Sequence, residues 1–366
     1  MRPKANGYEL LPMLPPEATD APEASANKST AKRLDLQGLR TVAIAGVLCF
    51  HIWPGVFPNG YLGVDMFFVL SGYLMTQILT PKSPTQPMTR AAVKHFYSRR
   101  IQRIVPVYLL VLFLTLVAGT RLLLERDMNN LAKDVRWALS FTSNMENFFA
   151  DRSYFAEVAS MRLVLHTWSL SAEIQYYLFV PLLIFALSWV HARLPRARLP
   201  LVVLAAGASF ALQHALALHY QQQELSFGLV FCRCWQFFTG SIVFYWRGKG
   251  NTRQGKETLS FASMLLHTSL LLLLAAILFA PHRLLFPLKE LSQLGVIVLM
   301  ALLVGWQSGG RSMLLSSRVA VELGDLSYVW YLVHWPLIQF VKYRLLVNSK
   351  VFGLPGERHV ARRRQF

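Results

Sequence analysis

Runs of about 20 apolar residues recur along the chain, separated by shorter polar segments. They lie near residues 39–57, 61–80, 104–120, 167–190, 200–219, 227–246, 259–281, 290–306 and 326–347. An uncharged run of that length crosses the hydrocarbon core of a bilayer as one helix. The pattern predicts an all-α fold, a polytopic transmembrane helical bundle of about nine to ten spans. Between the first two runs lies Pro54-Gly55-Val56-Phe57-Pro58-Asn59-Gly60, a turn signal that closes them into a hairpin.

The polar segments set the organisation. Residues 1–33 are polar, rich in Pro, Ala, Ser and Thr, and contain no apolar leader. This composition predicts a disordered tail. Residues 34–347 form the predicted transmembrane domain, and 348–366 a basic C-terminal tail. Lys and Arg concentrate before the first run and after the second, fourth, sixth and eighth. The positive-inside bias then places the N-terminus and these loops in the cytosol. The Asn27-Lys28-Ser29 glycosylation triplet would lie on that side, out of use. The basic tail after the ninth run would fall on the opposite side, so the C-terminal end is expected to be truncated or atypical. Segment 121–166 mixes charges with aromatics and is amphipathic enough to lie in the interface or fold over the bundle.

Composition agrees with the membrane reading. Of 366 residues, 54% are hydrophobic and 15% charged, against about 25% charged in ordinary soluble domains. Mean hydropathy is +0.37. A net charge of +18 would suit a nucleic-acid partner, but its sources are the short loops between apolar runs. The lipid bilayer, and no nucleic acid, is the expected partner. Cys49, Cys232 and Cys234 lie in apolar runs, without metal-site spacing, and read as small buried hydrophobes. No metal is expected.

Ionisable groups inside spans are expensive, by about 2.5–3.5 kcal/mol each even on the mildest scale. Arg40 and His51 are eleven residues apart, about three turns and ~16 Å along one helix face. Asp65 enters the second run from the turn, at a depth similar to His51, where a carboxylate can fix an imidazole's tautomer. Glu173 lies in the fourth run, Arg233 in the sixth and His334 in the ninth. Together with His51 and Asp65, these predict a polar site at middle-to-outer depth. At the cytosolic edge, Arg100 and Arg103 share a helix face beside Arg99. With Arg40 they gather guanidiniums suited to phosphate oxygens.

Six blocks resemble the acyltransferase 3 family of integral membrane O-acyltransferases. They are LDLQGLRTVAIAGVLCFH, GYLGVDMFFVLSGYLM, FYSRRIQRIVPVYLL, HTWSLSAEIQYYLFVPLL, RCWQFFTG and LGDLSYVWYLVHWPL. The resemblance implies a membrane-bound acyltransferase, moving groups other than amino-acyl. It implies an acyl-CoA co-substrate, usually acetyl-CoA, bound from the cytosol, with no permanently bound cofactor. The acceptor would be a hydroxyl of a glycan, lipid or other molecule. By resemblance His51 is the catalytic histidine and Arg40 its motif partner, and Arg100 and Arg103 contact the nucleotide phosphates. Asp65, Glu173 and His334 fall in matching blocks and are expected to support His51 as catalytic groups. Gln236 departs from the family, which commonly carries a carboxylate there. A proton- or ion-coupled transporter, or a non-catalytic member, is the competing reading. The sequence displays no inverted repeat to favour transport.

Overall fold

The computed structural model describes residues 33–81, 88–150, 162–219, 222–248, 261–280, 289–305 and 314–351. The expectations for residues 1–32 and for the tail beyond 351 lie outside them. Among the described residues every regular element is a helix. Nine match the predicted runs: α1 (Leu34–Ile52), α2 (Gly63–Leu79), α3 (Arg90–Leu122), α6 (Thr167–Arg193), α7 (Arg198–Leu218), α9 (Val230–Arg247), α10 (Phe261–Phe279), α11 (Lys289–Gly305) and α13 (Ser327–Val351). Between them lie α4 (Glu125–Leu139), α5 (Ser143–Ala150), α8 (Gln223–Gly228) and α12 (Arg318–Asp325).

The protein is a multi-pass helical membrane bundle. Five segments are long and apolar enough to cross a bilayer, and two shorter apolar helices, Ser263–Phe279 and Leu291–Gly305, accompany them. Helices α1 and α13, which carry His51 and His334, fall outside that count. Along α3, Leu110, Phe113 and Leu114 are exposed. Only lipid tails make such a surface inexpensive.

Helices α2 and α9 cross at backbone contact. A Cβ on Gly72 would stand 1.9 Å from the Phe237 carbonyl oxygen, and one on Gly240 would stand 2.1 Å from that of Val69. Small residues permit such close packing where lipid supplies no hydrophobic drive between helices. Beside the crossing, Thr76 and Ser241 share a 2.7 Å hydroxyl bond. Phe68, Phe237 and Tyr176 stack in series.

One break was not legible in the sequence. The sixth run divides into α8 and α9 at extended Leu229. Asn144 Nδ2 donates to the Gly228 carbonyl at 2.9 Å, and Arg233 Nε donates to that of Phe227 at 2.8 Å. The carbonyls released by the break therefore keep donors, as non-helical backbone at membrane depth requires.

Of segment 121–166, the described part folds onto the bundle. The buried Leu131, Val135 and Ala138 form the inner face of α4. Tyr108 donates to the Ala138 carbonyl at 2.9 Å. Arg162 Nη2 lies 2.9 Å from Asp134 Oδ1 and also pairs with Glu146. The Arg162 carbonyl accepts a 2.7 Å bond from Trp335 Nε1.

Two predictions follow from this packing. Gly72→Ala forces α2 and α9 apart and should cost at least about 1–3 kcal/mol, seen as lost monodisperse yield and a lower unfolding temperature in detergent. Burial, with Asp134 adding to it and Arg162 opposing, pushes the Glu146 carboxyl up to about 7 from 4.5. In that window the folded chain holds a proton that the unfolded chain has released, so stability falls as pH rises through it. Thermal unfolding of Glu146→Gln should lose that part of the slope.

Candidate active site

Two regions meet along α1. The first is a cavity of about 90 Å³ lined by Arg40 of α1, Ser71 of α2, Arg100 and Arg103 of α3, and Glu173 and Tyr177 of α6. That is room for several waters, since one needs about 10–15 Å³. Helical spacing aligns Arg100 with Arg103, as expected. Arg99 points elsewhere: it is exposed and does not line the cavity. The next residue on a helix is rotated by about 100°, away from the shared face.

Glu173 is the carboxylate in this cavity, and Ser71 and Tyr177 both donate to its Oε1. Three guanidiniums therefore face one carboxylate already held by hydroxyls. The surplus of positive charge suits a polyanion, and arginine's planar fork suits phosphate oxygens. At its other end the cavity meets Ser169 and Tyr331.

Tyr331 belongs to both regions. Its hydroxyl donates to the His166 carbonyl at 2.9 Å. Its ring centroid lies 5.7 Å from that of His334 and 5.8 Å from that of His166. His334 and His51 then form the centre of the second region, with His51 Nδ1 2.9 Å from His334 Nε2. Both are buried, at 5% and 4% exposed. The Trp335 ring lies 4.7 Å from His51. His51 occupies the last turn of α1.

The expected pairing of Asp65 with His51 is corrected by the structure. Asp65 Oδ1 accepts from Gln236 Nε2 at 3.1 Å and lies 3.6 Å from Arg233 Nη1, while Oδ2 accepts from Gln293 Nε2 at 3.3 Å. Glu173 likewise makes its bonds within the cavity and not to His51. A buried carboxylate is costly without donors, and the polar groups of α9 and α11 reach Asp65. The five in-span groups thus divide in three: His51 with His334, Asp65 with Arg233, and Glu173 among the arginines. Gln236 also has its reason here. A carboxylate at that position would face Asp65 across about 3 Å, where like charges repel strongly.

Sequence reasoning passed over Tyr331, Ser169, Tyr177 and His166 as site residues. His166 opens the HTWSLSAEIQ block and was available as a signal. The tyrosines sat among many aromatics with no spacing to single them out. Of the three cysteines read as small buried hydrophobes, Cys232 and Cys234 are buried and Cys49 is half-buried; all three are free thiols.

Comparison with known proteins adds the following. A family profile described as an acyltransferase domain matches residues 33–355. BcsY of Komagataeibacter xylinus, named as a candidate membrane-bound transacylase, is 29% identical over 315 residues, covering 86% of this chain and 75% of its own. A candidate O-acetyltransferase of Staphylococcus aureus is 35% identical over 154 residues, 42% of this chain and 24% of its own. A candidate peptidoglycan O-acetyltransferase of Bacillus subtilis is 34% identical over 169 residues, 46% of this chain and 26% of its own. The chain thus spans about a quarter of those two relatives. No solved structure matches it.

The Asp65–Arg233 pair gives a stability test. Arg233→Met should cost about 3–5 kcal/mol by leaving a buried carboxylate without its cation. The double variant Asp65→Leu/Arg233→Met should recover part of that loss in thermal unfolding, which a merely additive pair would not do.

Proposed function

Because the chain belongs to the acyltransferase family whose profile spans it, we propose that this membrane-bound O-acyltransferase takes an acyl group from acyl-CoA and gives it to an acceptor hydroxyl. The observation that carries this reading is the arrangement along α1. An arginine-lined cavity stands at one end, a buried histidine pair at the other, and one helix face joins them. In this reading the CoA phosphates lie toward Arg100 and exposed Arg103, and Arg40 holds the start of the acyl-carrying arm. An extended arm covers the ~16 Å from Arg40 to His51 at 1.5 Å per residue.

The chemistry assigned to His51 is general base catalysis. It takes the proton of the acceptor hydroxyl as that oxygen attacks the thioester carbonyl. The C–O bond forms, the C–S bond breaks, and the proton returns to the leaving thiolate. A covalent acyl-histidine is the variant route. The basic loops support a cytosolic N-terminus and donor side, with the acceptor approaching from the His51 end. The names of the relatives support acetyl as the acyl group and a glycan as one class of acceptor; a lipid hydroxyl fits the same chemistry. Asp65, by its partners, supports the helix packing around the site and is not assigned a chemical step.

Purified protein in lipid should release free CoA from acetyl-CoA when a hydroxyl acceptor is supplied. His51→Ala should abolish this while the variant still purifies folded and monodisperse; full activity in that variant would sink the assignment. Arg100→Ala and Arg103→Ala should raise KM for acetyl-CoA by roughly tenfold each, the worth of about 1.4 kcal/mol per phosphate contact, with kcat little changed.

A further inference from the structure

The histidine pair carries more than its proximity. His334 Nδ1 lies 3.0 Å from the Trp330 carbonyl oxygen, one turn back on α13. A carbonyl oxygen only accepts, so His334 Nδ1 must carry the proton and donate it. In neutral His334, Nε2 is then an acceptor. The group that faces it at 2.9 Å is His51 Nδ1, so His51 must donate there. Its remaining nitrogen, Nε2, is left with a bare lone pair. No other hydrogen bond to the His51 ring occurs among the described residues.

From this chain of donors we infer that His334 is a positioning residue, which uses the Trp330 carbonyl to fix the tautomer of His51 so that Nε2 is the reacting nitrogen. The inference rests on the acyl-transfer reading for its consequence, though not for its geometry. In water a neutral histidine favours the opposite tautomer, with the proton on Nε2 and the lone pair turned toward its own backbone. A base in that form offers an incoming hydroxyl a donor where an acceptor is needed. Which nitrogen is free is set by the bond that the other one makes.

The surroundings support a neutral pair. The groups packed around the two rings are Trp335, Tyr331, Phe50 and the His166 ring. Lys342 lies beyond Trp335, its Nζ 5.9 Å from that ring. Among the described residues no carboxylate hydrogen-bonds to either histidine; Asp65 and Glu173 are committed elsewhere. The role that an aspartate takes in a serine hydrolase triad, orienting the base and meeting its charge, falls here to a neutral imidazole. During transfer the acceptor's proton goes to His51 Nε2. Nδ1–H of the resulting imidazolium still donates to His334, and the same Nε2 proton then leaves with the departing thiolate sulfur. No proton needs to pass through His334.

The test separates position from packing. His334→Gln places an amide oxygen where Nε2 stood and can still accept from His51. His334→Phe keeps the ring's bulk and offers no acceptor. The Phe variant should lose roughly 10²–10⁴-fold in kcat, as when a base is left in the wrong tautomer. The Gln variant should stay within about tenfold of wild type. KM for acetyl-CoA should hold in both, since His334 does not line the arginine cavity. Solid-state NMR of 15N-histidine protein in bilayers at about pH 8, with His51→Ala to assign the signals, should show His51 protonated at Nδ1 and bare at Nε2. His334→Phe should turn His51 to the Nε2–H form. Equal losses in the Gln and Phe variants of unchanged unfolding temperature would overturn the inference, as would a wild-type His51 protonated at Nε2. The NMR result needs no turnover. An inactive wild type with the Nδ1–H form would therefore refute the acyltransferase reading and leave the tautomer assignment standing.

Discussion

A carboxylate taken out of water must be met by donors, and this constraint distributes the polar groups of the bundle. Asp65 is met by Arg233, Gln236 and Gln293 from two other helices. Glu173 is met by Ser71 and Tyr177. Once both are satisfied, neither is left to orient His51, and another imidazole takes that place. The histidine pair thus has no carboxylate bonded to it among the described residues, while positive charge gathers at the far end of α1. In the proposed reaction the thioester arm carries no charge itself, so a neutral centre and a cationic anchoring end would divide the work of chemistry and binding.

This allocation depends on how closely the helices approach. Gly72 and Gly240 let α2 and α9 touch backbone to backbone, which brings Arg233 and Gln236 within reach of Asp65. The break at Leu229 frees the Phe227 carbonyl, and Arg233 bonds it while pairing with Asp65. One side chain therefore closes both the electrostatic and the backbone requirements of that corner. The α4–α5 segment is fastened in the same manner, through Arg162 between two carboxylates. Its carbonyl in turn holds Trp335 beside His51.

Tyr331 is where the arginine cavity and the histidine pair adjoin. It lines the arginine cavity, bonds the His166 carbonyl, and sets its ring against those of His166 and His334. The rings of Tyr331 and Trp335 pack against the histidine pair and keep it from bulk water, which strengthens its hydrogen bonds.

The apolar helices were legible because apolar length is a local property, readable one segment at a time. The shared face of Arg40 and His51 was legible for the same reason, since 3.6 residues per turn fixes it within one helix. The shared face of Arg100 and Arg103 followed likewise. What tertiary structure alone decided was which ionisable group meets which. His51 and His334 are 283 positions apart and Asp65 and Gln236 are 171 apart, so no periodicity links them. Depth along the membrane normal, which sequence supplies, does not determine the azimuth at which each helix presents its polar side chain. Helix rotation and close approach at the glycines determine it, and these arise from packing the whole bundle at once.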